Sequence, residues 1–202
     1  MKAEIINKQD INKAEKYINK FKYYNDLKFP EFTVIFDYKL PWAGVWYDKS
    51  KEHKYKIYVN PDRCEVEDDR SLAVESNRRA EGYTDNPSVT AVILHEFCHF
   101  IDSKYKIYEK YKKEFAKNDK VEINEIKEES CIDFFVLYIV NPYLLKLLSK
   151  ERYEFYKRFF KSPISNEKKH FLITYSNWDD TVKKECKTKW KLSVEKGKII
   201  QH

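Results

Sequence analysis

Along this chain, apolar residues recur with two different periods. Between residues 10 and 25, Ile11, Ala14, Ile18 and Phe21 fall at helical spacing, with Asp10 placed to cap a helix. Three runs rich in β-branched and aromatic residues follow: EFTVIFDYK (31–39), GVWYD (44–48) and KYKIYVN (54–60). Separated by short polar breaks, they read as strands of a small, mainly antiparallel sheet, the last one ended by Asn60-Pro61. Residues 61–86 are polar and long for a connection, the kind of loop that often carries function. Within it, DRSLAVESNRRA can instead form a short helix. Asn86-Pro87 opens the next helix, with proline at its first position. A second long helix is expected over 121–140, VEINEIKEESCIDFFVLYIV, ending at Asn141-Pro142, and PYLLKLLSK and ERYEFYKRFF are further amphipathic pieces. Beyond Ser162 the pattern suggests a helix or strand near HFLITY, then a basic tail that it does not place.

The helix after Pro87 poses a physical problem. VTAVILHEFCHFID, residues 89–102, is almost unbroken apolar sequence interrupted by His95, Glu96 and His99. Leaving a polar side chain unpaired in a protein interior costs roughly 1–3 kcal/mol. The five residues His95-Glu96-Phe97-Cys98-His99 read H-E-x-x-H, and four residues advance a helix by about 400°, so both imidazoles lie on one face, one turn apart. They can converge on one cation, while Glu96, about 100° round from His95, can reach a water without being a ligand. Zinc suits such a site, with nitrogen and oxygen donors and one position left open.

A catalytic zinc needs a third protein ligand. The 121–140 segment carries Glu129 and Asp133 as E-x-x-x-D, on the same predicted face as Ile126, Ile132, Val136 and Val140. Glu129 is the expected ligand, and Asp133 is placed to accept the free ring N–H of a ligand histidine. Glu125, Glu128 and His170 are the competing ligands. Asp102 reads as a helix-end charge or a partner of a ligand, and Cys98 as a packed core thiol close to the metal face. For a donor to a developing oxyanion, the candidates are His170 and Tyr175 downstream, and Arg78 and Arg79 upstream. The strand KYKIYVN is the expected edge on which an extended peptide could pair.

H-E-x-x-H followed by a helix bearing E-x-x-x-D resembles the gluzincin metallopeptidases. Within that helix, EESCIDFFVLYIVNP is similar to the ImmA/IrrE-type proteases at Glu129, Phe135 and Pro142. It departs from them at Cys131, Ile132, Asp133 and Asn141. HEFCHFID is also similar to SprT-like and putative phage metallopeptidases. The resemblance spans about residues 45–145. It implies a zincin-like α+β domain whose active-site helix carries the histidines, a bound Zn2+, and hydrolysis of peptide bonds with Glu96 as general base.

Composition narrows the alternatives. The 202 residues suit one domain over 1–202, with a core over about 28–160 and a basic C-terminal extension over about 162–202. Only 3 glycines argue against a glycine-rich phosphate loop. Cys64, Cys98, Cys131 and Cys186 form no C-x-x-C pair, as expected of free thiols in a reducing compartment. With no leader-like or membrane-length apolar run, the expected location is cytoplasmic, with no membrane partner. The net charge of +6 is uneven: residues 1–102 carry 16 Lys+Arg against 18 Asp+Glu, and residues 103–202 carry 23 against 15. The basic half fits a Lys-rich solvated surface better than a nucleic-acid interface. Three functional classes follow: a zinc metallopeptidase acting on a protein or peptide, a zinc-binding regulatory module without turnover, and a nucleic-acid-associated protease of SprT-like type.

Overall fold

The protein is described by a computed structural model covering residues 2–28, 31–41, 43–49, 54–64, 72–81, 87–119, 122–123 and 125–201. The fold is α+β and mostly helical. Two helices buried along most of their length form its centre: α3 (Val89–Tyr105) and α5 (Glu128–Val140). Every α3 residue from Val89 to Cys98 is buried, as is every α5 residue from Cys131 to Val140. Neither helix has a solvent-facing polar stripe over these spans, so both must be covered on all sides.

The first helix, α1 (Lys2–Tyr24), supplies one cover by turning Ala14, Ile18 and Phe21, all fully buried, towards α3 and α5. The Phe21 ring meets Phe97 at 6.3 Å, Phe135 at 5.7 Å and Phe160 at 5.2 Å, within the range of favourable aromatic pairs. The helix begins eight residues before the expected start, so Asp10 is not its cap. Asp10 lies mid-helix, where its carbonyl and carboxylate face the Thr90 hydroxyl at 3.3 and 3.4 Å.

A second cover is a three-stranded sheet of β1 (Phe32–Phe36), β2 (Gly44–Lys49) and β3 (Lys54–Val59), ordered β1-β3-β2. The sheet is mixed rather than mainly antiparallel: β1 runs parallel to β3, and β2 antiparallel to it. Strand β3, expected at the edge, is central, and among the described residues β2 is the edge strand beside α3. A local pattern reports which residues face the core but not which strands pair, because pairing is fixed by distant contacts.

Helix α2 (Leu72–Ala80) packs on α5 and realises the short helix read in the 61–86 segment. The start of α3 differs from expectation. Ser88 is the cap, its hydroxyl accepting from Ala91 N at 3.1 Å, so Pro87 precedes the helix rather than opening it. The Lys- and Tyr-rich stretch folds as α4 (Ile107–Asp119), with Ile107, Tyr111 and Phe115 buried at a spacing of four. As a result α5 begins only at Glu128, not at residue 121.

Asn141 caps α6 (Pro142–Leu148), whose first residue is proline as expected, and Ser149 caps α7 (Lys150–Phe159). The basic C-terminal segment forms α8 (Glu167–Asn177), α9 (Asp180–Lys189) and a hairpin of β4 (Leu192–Glu195) and β5 (Lys198–Gln201). Its Phe171, Tyr175, Trp178, Cys186 and Leu192 belong to the same connected core as Phe21, Phe97 and Phe135. It also docks on α2: the Trp190 indole donates to Glu81 at 3.2 Å, and Arg78 pairs with Glu185 at 3.5 Å. Among the described residues, no helix is long and apolar enough to cross a membrane.

Candidate metal centre

The facing surfaces of α3 and α5 bring His95, His99 and Glu129 together, with one potential ligand atom from each lying within 4.8 Å of the others. His95 Nε2 is 3.1 Å from His99 Nε2 and 2.8 Å from Glu129 Oε2, and His99 Nε2 is 3.5 Å from Glu129 Oε1. Donors held 2.0–2.1 Å from a tetrahedral zinc lie about 3.3 Å from one another. The observed separations, which pair one Glu129 oxygen with His95 and the other with His99, lie on either side of that value.

The outward-facing ring nitrogens explain why both Nε2 atoms point inward. Asp133 Oδ1 lies 2.8 Å from His95 Nδ1, with both side chains 6% exposed. Glu128 Oε1 lies 3.3 Å from His99 Nδ1. Assigning the Nδ1 protons to these carboxylates leaves each Nε2 with its lone pair facing the cluster. Two imidazole lone pairs and a carboxylate at these distances repel one another unless a cation lies among them. That need is sharpened because Glu129, held well below the usual carboxylate range by its contact first with His95 and then with His99, carries a full negative charge. A divalent metal meets it fully, and the residues present fit zinc by donor type, number and spacing.

Glu96 sits between the histidines in sequence and is buried. Its Oε1 borders the first residue of β2: a Cβ on Gly44 would lie 3.4 Å from that oxygen and only 2.3 Å from Val92 Cγ1. The edge strand can approach the helix this closely only because Gly44 has no side chain. Glu129 is 66% exposed and Glu128 46%, so the cluster opens to solvent on the α5 side.

Of the residues singled out in the sequence, the structure gathers His95, Glu96, His99, Glu129 and Asp133. Glu128 joins them beside His99 Nδ1, not at the point where the Nε2 atoms converge. Glu125 is exposed, its carboxylate turned to Glu122 N. His170 and Tyr175 are not brought to the cluster. His170 Nε2 donates to Val140 O at 3.1 Å, at the other end of α5 and about 16 Å along its axis from Glu129 at 1.5 Å per residue. Tyr175 packs between Phe171 and Trp178 and bonds the Val194 backbone. Arg78 is engaged with Glu185 on α9, and the Arg79 side chain lies outside the described residues. Asp102 caps the turn after α3, accepting from Tyr108 N at 2.6 Å. Cys98 is a fully buried thiol whose pKa is raised chiefly by burial, as expected of a core cysteine.

Sequence reasoning missed one participant, Gly44, and the place of another, Glu128, which it weighs only as a competing ligand. Gly44 carried a signal in being one of only 3 glycines and opening a strand. The role of Glu128 had no local signal, because it depends on which face α5 turns to His99. Comparison with protein-family models, curated proteins and solved structures finds no match to this chain, so the gluzincin resemblance rests on His95, Glu96, His99, Glu129 and Asp133 alone.

Proposed function

We propose that this chain is a zinc-dependent metallopeptidase of zincin type, with His95, His99 and Glu129 as ligands and Glu96 as general base. The supporting observation is the convergence of both Nε2 atoms of α3 and the Glu129 carboxylate of α5, with the buried carboxylate of Glu96 next to His95 on α3 and not itself in the cluster. Zinc, when bound, lowers the pKa of a coordinated water towards ~7 and polarises a carbonyl.

The chain's own residues do the rest. Asp133 and Glu128 orient the two imidazoles, so little reorganisation is needed when the metal binds. Glu96 accepts a proton from water at its carboxylate and returns it to the leaving nitrogen. Beside it, β2 has β3 as its sheet neighbour on one side, and an extended peptide can add along the other. Gly44, by letting β2 pack directly on α3, brings that strand close to Glu96. The exposure of Glu129 and Glu128 gives a polypeptide access, as a sealed structural zinc site would not.

The test is hydrolysis of unfolded protein and peptide pools by the purified zinc-loaded protein. Cleavage that disappears in Glu96→Gln, with zinc retained, supports the reading. Cleavage that is unaffected by Glu96→Gln contradicts it.

A further inference from the structure

We propose that Tyr108 is a positioning residue for Glu129, tying the end of the histidine-bearing helix to the start of the ligand-bearing one. This rests on the metal reading above. Glu128 and Glu129 are the first two residues of α5, where a helix frays most readily. The residue before them, Lys127, makes no side-chain capping bond. Yet Glu129 must hold its carboxylate within a few tenths of an ångström to serve as a ligand, so something else has to fix this end.

Tyr108 does so from the side. Its hydroxyl donates to Ile126 O at 2.7 Å, two residues before Glu128 and across 18 residues of sequence. Its backbone N–H donates to Asp102 Oδ1 at 2.6 Å, three residues after His99. Asp102 also accepts the Lys106 N–H through its own carbonyl at 2.7 Å, closing the left-handed turn at Lys106 (φ 55°) that ends α3. Lys112 Nζ lies 4.9 Å from the centre of the Tyr108 ring, holding its face. A short path therefore runs from His99 through Asp102 and Tyr108 to Ile126 and the two glutamates.

Other side chains grip α5 further along. The Tyr156 hydroxyl donates to Cys131 O at 2.6 Å, and His170 bonds Val140 O. These set the axis of the helix, and Tyr108 sets where its first turn begins.

The experiment compares wild type, Y108F and E129A by zinc affinity in chelator competition and by the visible absorption of the cobalt(II)-loaded protein. In Y108F zinc should bind about 3- to 10-fold more weakly, the range that loss of one hydrogen bond can supply. Its cobalt spectrum should also shift towards that of E129A. A purely structural tyrosine would lower the melting temperature of the metal-free protein and leave affinity and spectrum where they were, and that result overturns the proposal. If Y108F does not fold, D102A and D102N carry the test: D102A should reproduce the weaker binding, and D102N, which keeps an acceptor oxygen, should restore it. Equal zinc affinity in D102A and wild type also overturns the proposal. Failure of the wild type to take up zinc would end the metal reading and the Tyr108 role with it, whereas normal wild-type uptake with an unaltered Y108F ends the Tyr108 role alone.

Discussion

The two histidines of the cluster have the same chemistry and unlike surroundings. His95 and its partner Asp133 are each only 6% exposed, while His99 is 15% exposed and its partner Glu128 46%. The inner pair is therefore built into the core between α3 and α5, and the outer pair, together with Glu129, faces solvent. An inner partner serves folding and metal binding at once, because its loss strands a buried nitrogen. An outer partner can be lost to the metal site while the fold is kept. In the proposed metallopeptidase this division would keep the centre rigid on one side and reachable by a polypeptide on the other.

The largest expected effect concerns neither pair but the carboxylate between them. Glu96→Gln keeps the shape and cannot take a proton, so peptide turnover should fall by about 10²–10⁴-fold with zinc content unchanged. Near-normal turnover in that variant would remove Glu96 from the mechanism.

Asp133→Ala tests the inner half directly. It should weaken zinc binding by about 10–100-fold and destabilise the metal-free protein by about 1–3 kcal/mol, because His95 Nδ1 loses its acceptor in the interior. Glu129→Ala should lose most of its zinc on dialysis, keeping only a weak site of two histidines, while changing metal-free stability by no more than about 1 kcal/mol, as its side chain is mostly exposed. Denaturant melts of the two metal-free variants check the contrast, and equal losses of stability would erase the distinction between the halves.

A smaller effect is expected at the strand that borders Glu96. Gly44→Ala introduces a Cβ 2.3 Å from Val92 Cγ1, and such overpacking costs about 1–3 kcal/mol. Because the same Cβ approaches Glu96, activity should fall more than zinc affinity. A variant as stable and active as the wild type would show that β2 moves away freely.

The smallest effect is a control at the far end of α5. Burial holds the His170 pKa below its ordinary value, so as pH falls the unfolded chain takes up a proton before the native one does. Its contribution to stability is therefore complete above about pH 6.5 and declines as pH falls below that. His170→Gln should flatten this part of the stability profile and leave zinc binding untouched. Loss of zinc in that variant would place His170 among the ligands after all.

These contrasts also mark what the sequence could and could not show. The polar residues of α3 were legible because they interrupt a helix that has no other reason to be polar, and the spacing of Glu129 and Asp133 matched them. The first residues of α5 were not legible. Ile123 and Ile126 continue the helical apolar spacing, yet the helix begins only at Glu128. In α4, Ile107, Tyr111 and Phe115 keep a four-residue spacing that the surrounding lysines obscured. The order of the strands, and with it the identity of the edge, is set by contacts no local pattern carries. The placement of His170 depends on the path of α8 past the end of α5, which nothing near His170 in the sequence specifies.

The most direct test of the account is the zinc content of the purified protein beside its His95→Ala/His99→Ala double variant. Exhaustively dialysed wild type should retain one equivalent of zinc per chain, and the double variant should retain none, because both Nε2 donors are then gone. A wild type that holds no zinc, or a double variant that still holds one equivalent, would contradict the account.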